Sequence, residues 1–147
     1  MRITSTAFED GGTIPYQYSK EGGNQRPPLL FEDIPANARS LALIVEDPDG
    51  PQGTFTHWIA FNIPPSTREI NGHMPSTVQQ ACNDFGQTDY AGPKRPAPDH
   101  RVFFKLYALD DELMLPRGAS RLDMEEALVG RVIAQAECMG RFAPADN

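Results

Sequence analysis

The chain has 147 residues, 39 % of them apolar and 22 % charged, with 13 lysines and arginines against 20 acidic residues and a formal net charge of -7. That length supports one domain, residues 1–147, burying roughly 68–70 % of its unfolded surface, and that charge repels a polyphosphate backbone, so nucleic acid is not expected as a partner. Cys82 and Cys138 have neither C-x-x-C spacing nor a companion histidine cluster, the first residues lack an apolar signal core, and no window approaches the roughly 18 apolar residues of a membrane span; a cytoplasmic protein with free thiols is expected.

Short period-two runs separated by Pro, Gly, Asn and Asp predict a mainly β sandwich. Residues 2–8 and 29–31 read as weak strands. Residues 40–46, SLALIVE, are apolar on both faces up to the final Glu, which predicts a central strand buried on both sides. Residues 55–62 alternate Phe55, His57, Ile59 and Phe61 on one face with Thr56, Trp58, Ala60 and Asn62 on the other. Residues 79–83 read as another weak strand. After a stiff proline-rich connection, GPKRPAPD at 92–99, residues 102–109 form a third strong one, VFFKLYAL. From Ser120 the period changes. Ser120 and Asp123 resemble a capping box, and Met124, Leu128, Val132, Ala136 and Met139, joined by Val129 and Ile133, trace one helical stripe. One sizeable C-terminal helix over residues 120–141 is expected, weakened at Gly130 by about 1 kcal/mol relative to Ala.

The stretch DPDGPQGTFTHWIAFNIP, residues 47–64, admits two readings. Pro-Asp-Gly between apolar runs is a turn in its own right, because proline fixes φ, Asp bonds nearby backbone and Gly tolerates positive φ. The same stretch also places two carboxylates between strong strands and puts His57 on the face of Phe55, so that imidazole and aromatic ring share a wall. His100, followed by Arg101, stands at the foot of the next strong strand. If those strand ends meet, both imidazoles and Asp47 border one concavity; His73, in NGHMPS, reads as solvated. No G-x-S-x-G, P-loop or H-E-x-x-H occurs. DPDG begins like a calcium loop, but Gln52 and Trp58 occupy the positions that need glycine and glutamate. Asp47, His57 and His100 match a two-His, one-carboxylate iron site in residue type but not in spacing, so no metal and no cofactor is expected.

DPDGP with THWIAFNIP, then NDFGQTDYAGP, then DHRVFFKLYALD, resembles the phosphatidylethanolamine-binding protein family, in its bacterial and archaeal Raf kinase inhibitor-like branch. The match runs from PPLLFEDIP to the C-terminal segment. It implies a sandwich of a large central sheet and a smaller sheet, and a pocket for phosphate-like anions or phospholipid head groups. By the same resemblance Asp47 is the pocket aspartate, Asp49 and Pro51 are turn residues, Phe55 and His57 lie on the strand wall, Gly92 and Pro93 form the opposite rim, and His100 is the histidine of the His-Arg pair. Val102 stands where the family usually has tyrosine.

The function implied is a binding module for a small anion, a phospholipid head group or a phosphorylated protein, with a Raf kinase inhibitor-like regulatory role. The alternative is a phosphoester hydrolase or metal-dependent enzyme using the same Asp/His/His pocket. Expected donors are imidazole N–H groups, backbone N–H groups of residues 92–96 and Lys94 at the rim. Asp47 then either accepts from a histidine, fixing its tautomer, or binds the ammonium of a zwitterionic head group. A homodimer is compatible with the sequence, although no exposed apolar stripe demands one.

Overall fold

The computed structural model describes residues 1–72, 74–93 and 100–142. In chain order the elements are β1 (Arg2–Thr4), β2 (Leu29–Glu32), β3 (Ser40–Asp47), β4 (Phe55–Ile63), β5 (Glu69–Ile70), β6 (Gln79–Ala81), β7 (His100–Leu109), α1 (Arg121–Leu128) and β8 (Val132–Phe142). They form a three-stranded sheet, β1-β2-β5, and a five-stranded sheet, β6-β4-β3-β7-β8. All strand pairings within both sheets are antiparallel.

β3 is the middle strand of the larger sheet, and all eight of its residues are buried. Its two apolar faces have different covers. Leu41, Leu43 and Val45 join Ile3, Leu29, Phe31 and Ile70 of the smaller sheet, together with Trp58, Phe104 and Leu106, in the core between the sheets. Ala42 and Ile44 face the other way and pack with Ile59, Phe61, Leu113 and Met124 under α1 and the loop before it. A strand sandwiched in this way needs no polar face, which is why SLALIVE lacks one. Trp58, Phe31 and Phe104 are among the largest fully enclosed side chains, and burial of each aliphatic or aromatic side chain of this kind contributes about 1.5–3 kcal/mol.

The C-terminal region departs from the expected helix over residues 120–141. The capping box forms as read: the Asp123 amide donates to Ser120 Oγ at 3.1 Å, and the Ser120 amide donates to Asp123 Oδ2 at 2.9 Å. The helix nevertheless ends at Leu128, and Gly130, at φ +75°, is the residue that stops it rather than a weak interior position. Residues 132–142 are β8, paired with β7 along its whole length. The misreading has a physical cause. A spacing of four satisfies a helix, but four is also twice two, so 128, 132 and 136 fit a strand equally well, and a positive-φ glycine followed by β-branched Val132 and Ile133 decides for strand. Ala134, Ala136 and Cys138 of β8 face the core and pack there.

Candidate functional site

In an antiparallel sheet of order β4-β3-β7, the C-terminal end of β3 lies beside the first residues of both neighbours. Asp47 therefore pairs with Phe55, and His100 starts the strand on its other side. Asp47 is 4 % exposed and His100 7 %, and His100 Nδ1 donates to Asp47 Oδ2. Asp47 Oδ1 accepts from the Asp49 amide at 2.7 Å, a side-chain-to-backbone bond that folds the turn back on itself.

His57 reaches the same place through a break in the ladder. Val45 pairs with Trp58 and Glu46 with Thr56, so one residue of β4, His57, is left without a partner, as in a β-bulge. The expected alternation is thereby corrected. Phe55 and His57 turn to the cleft, while Ile59 and Phe61 pack on the outer face under α1. Thr56 also faces outward, accepting from Arg121 Nη1 at 3.0 Å. The groups freed by the bulge are bonded elsewhere. The His57 carbonyl accepts from the Ala91 amide at 3.2 Å and from Asn83 Nδ2 at 3.3 Å, and His57 Nδ1 donates to the Ala91 carbonyl at 2.8 Å.

The cleft so formed has a volume of about 460 Å³. Asp47, His57 and His100 line it together with Phe55, Pro51 and Pro93, all predicted site residues, and with Gly50, Gln52, Gly53, Thr54, Asp84 and Phe85. That volume falls within the range of small-molecule pockets. One wall is aromatic. The Phe55 ring lies 4.9 Å from the His57 ring and 4.8 Å from Phe85, centroid to centroid. His57 is 3 % exposed, and its Nε2 has no hydrogen-bond partner among the described residues. Burial, the largest influence, holds its pKa below the ordinary imidazole value, only partly offset by the Ala91 carbonyl and the carboxylates of Asp47 and Asp84; His100 lowers it further.

Two predicted site residues do not line the cleft. Asp49 turns away to Arg101, accepting from its Nε and Nη2, both at 2.8 Å, and from its amide at 3.0 Å. Hydrogen bonding from Arg101 draws the Asp49 carboxyl down to about 2. Gly92 supplies no donor to the cleft, since its amide donates to Asn24 Oδ1 at 2.7 Å, and a Cβ there would fall inside van der Waals contact with the Tyr18 carbonyl. Its part is close packing that sets the rim. His73, Lys94 and the remainder of the proline-rich loop, 95–99, lie outside the described residues.

Sequence reasoning missed Phe85, Asp84, Asn83 and Ala91 as site-forming residues, although all four lie in the NDFGQTDYAGP motif. Asn83, 5 % exposed, holds that loop: its Nδ2 also donates to the Asp89 carbonyl at 2.7 Å, and its Oδ1 accepts from the amides of Phe85 at 2.9 Å and Gln87 at 3.0 Å. Among the described residues, no three His, Cys, Asp or Glu side chains form a group able to hold a metal ion, and no helix is long and apolar enough to cross a membrane.

The sequence family model described as phosphatidylethanolamine-binding protein matches residues 4–143. The chain belongs to the phosphatidylethanolamine-binding protein family. Among relatives of this family member, a UPF0098 protein of Methanothermobacter thermautotrophicus is 43 % identical, the alignment covering 97 % of this chain and 98 % of the relative. A phosphatidylethanolamine-binding protein homolog from Chlamydia trachomatis superposes with a TM-score of 0.92 at 38 % identity, covering 98 % of this chain and 97 % of its own. Escherichia coli YbcL, described as a member of the mammalian PEBP family, superposes at 0.89 with 27 % identity, covering 98 % of each chain. Membership supports a ligand-binding module. In this member Val102, where the resemblance leads one to expect tyrosine, is fully buried in the core between the sheets and does not line the cleft.

Proposed function

We propose that this chain is a cytoplasmic binding module whose cleft takes a phosphate-like group, carried either by a phospholipid head group or by a phosphorylated protein, in a Raf kinase inhibitor-like regulatory role. The observation that carries the reading is the convergence of two imidazoles and one acid on a single cleft, with His57 Nε2 buried and unpartnered at its wall. A buried polar atom without a partner costs about 1–3 kcal/mol, so a ligand that satisfies it gains that much beyond its other contacts. The two free thiols fit a reducing compartment.

Magnitudes favour binding to something larger than the bare ion. Even three charge-assisted hydrogen bonds at roughly 1.5–3 kcal/mol each, set against an association cost of about 4 kcal/mol or more, would leave free phosphate no better than roughly millimolar. The volume of about 460 Å³ and the Phe55–Phe85 wall leave room for an organic portion. Titration of phosphate, phosphoethanolamine and a phosphoserine peptide into labelled protein, followed by ring resonances, tests the reading and ranks the two sources. Shifts at His57 and His100 are expected with all three, and silence at both rings at tens of millimolar removes the proposal. Phosphoester turnover lost in His57→Ala would replace it with the enzyme reading.

A further inference from the structure

We infer that the cleft selects oxyanions that still carry an acidic proton, and so takes phosphate over sulfate, because His57, which lines it, has a buried acceptor Nε2 that no described residue satisfies. This rests on the anion-binding reading above and specifies its ligand class. The argument is one of tautomers. The Ala91 carbonyl can only accept, so the hydrogen bond of 2.8 Å places the proton of His57 on Nδ1. A neutral imidazole has one such proton, and Nε2 is left with a lone pair, buried and without a partner among the described residues.

The surroundings reinforce that state. Asp47 and Asp84 both line the cleft, Asp47 with one oxygen bonded to His100 and the other to the Asp49 amide, and Asp84 with Oδ2 accepting from the Thr56 amide at 2.7 Å. The other groups packed on the imidazole are the rings of Phe55 and Phe85, with the Lys20 ammonium 3.9 Å above the latter. Arg101 is engaged by Asp49. An oxyanion entering here meets the His57 lone pair and two carboxylates as well as the His100 ring. An oxygen bearing hydrogen bonds His57 Nε2, whereas a bare oxygen is repelled and leaves that nitrogen unpaired. At pH 8 inorganic phosphate keeps one O–H and sulfate has none.

The test uses the full chain and both inorganic ions. Long-range nitrogen–proton spectra of the free protein should show His57 as the Nδ1–H tautomer, and phosphate should bind about tenfold or more tightly than sulfate at pH 8, the factor a lost hydrogen bond of this kind implies. His57→Asn keeps a donor for the Ala91 carbonyl and, being shorter, no longer reaches the position of Nε2 with an acceptor, and it should narrow the ratio to under about threefold. An Nε2–H tautomer, or equal or tighter binding of sulfate at pH 8, overturns the inference, and the tautomer readout stands even if the variant fails to fold. Equal binding would leave the anion-binding reading intact, whereas binding of neither ion removes both.

Discussion

Truncating Asn83 tests whether the rim of the cleft is held by one side chain. Asn83→Ala removes four hydrogen bonds of 2.7–3.3 Å, two donated to the carbonyls of His57 and Asp89 and two accepted from the amides of Phe85 and Gln87. At about 1 kcal/mol each the loss is roughly 3–4 kcal/mol, since the site is buried and water replaces the amide poorly. For a domain of this size that corresponds to a fall in melting temperature of roughly 10 °C. Urea unfolding measures it as a lower midpoint at unchanged slope. Asn83→Asp sharpens the result. It keeps the acceptor for the two amides but sets an oxygen against two carbonyls, so the introduced carboxyl has its folded pKa raised. The resulting penalty is full at pH 7 and recedes as pH falls through that raised value, as protonation restores a donor. A cost under about 1 kcal/mol for Asn83→Ala, or an Asn83→Asp deficit independent of pH, would refute the reasoning.

The Asp49–Arg101 fork predicts a specific acid response. The folded carboxyl titrates at about 2, below an unfolded value of about 3.9, so its contribution is complete above pH 4 and is lost as pH falls toward 2. Side chains 31 % and 43 % exposed reduce this to about 1 kcal/mol or less, and Asp49→Asn should flatten the stability profile between pH 4 and 2 while leaving phosphate binding within about threefold. Gly92→Ala places a methyl against the Tyr18 carbonyl, which no rotamer can relieve; a loss of about 1–3 kcal/mol in thermal unfolding is expected, with a shift of the His57 ring resonance as Ala91 is displaced.

The strong strands could be read from the chain because an alternating or continuous apolar run is a local signal. SLALIVE is apolar throughout because sheet covers one face and helix the other, and antiparallel order then brings Asp47, Phe55 and His100 together without further information. Ser120 and Asp123 marked the start of α1, since a cap is local chemistry. The end of α1 was not legible, because spacing by four is shared by helix and strand until Gly130 is known to take positive φ. Within the site, the bulge at His57 and the bond to Ala91 depend on residues 34 apart, so neither the reversal of β4's faces nor the tautomer could be derived from spacing. Asp49 is a turn residue by the family resemblance, and its fork with Arg101, which turns it from the cleft, depends on a residue 52 positions away. Gly92 appeared to be a donor at the rim, but it serves as the point where two loops touch.

The central claim is that His57 and His100 grip one phosphate-like group at the joined ends of β3, β4 and β7. Determining the crystal structure with phosphate tests it most directly. The account predicts phosphate density within hydrogen-bond distance of His57 Nε2, between the two imidazoles and against the Phe55 wall. Phosphate bound elsewhere with the cleft holding only water, or a His57 ring turned away from Ala91, would contradict it.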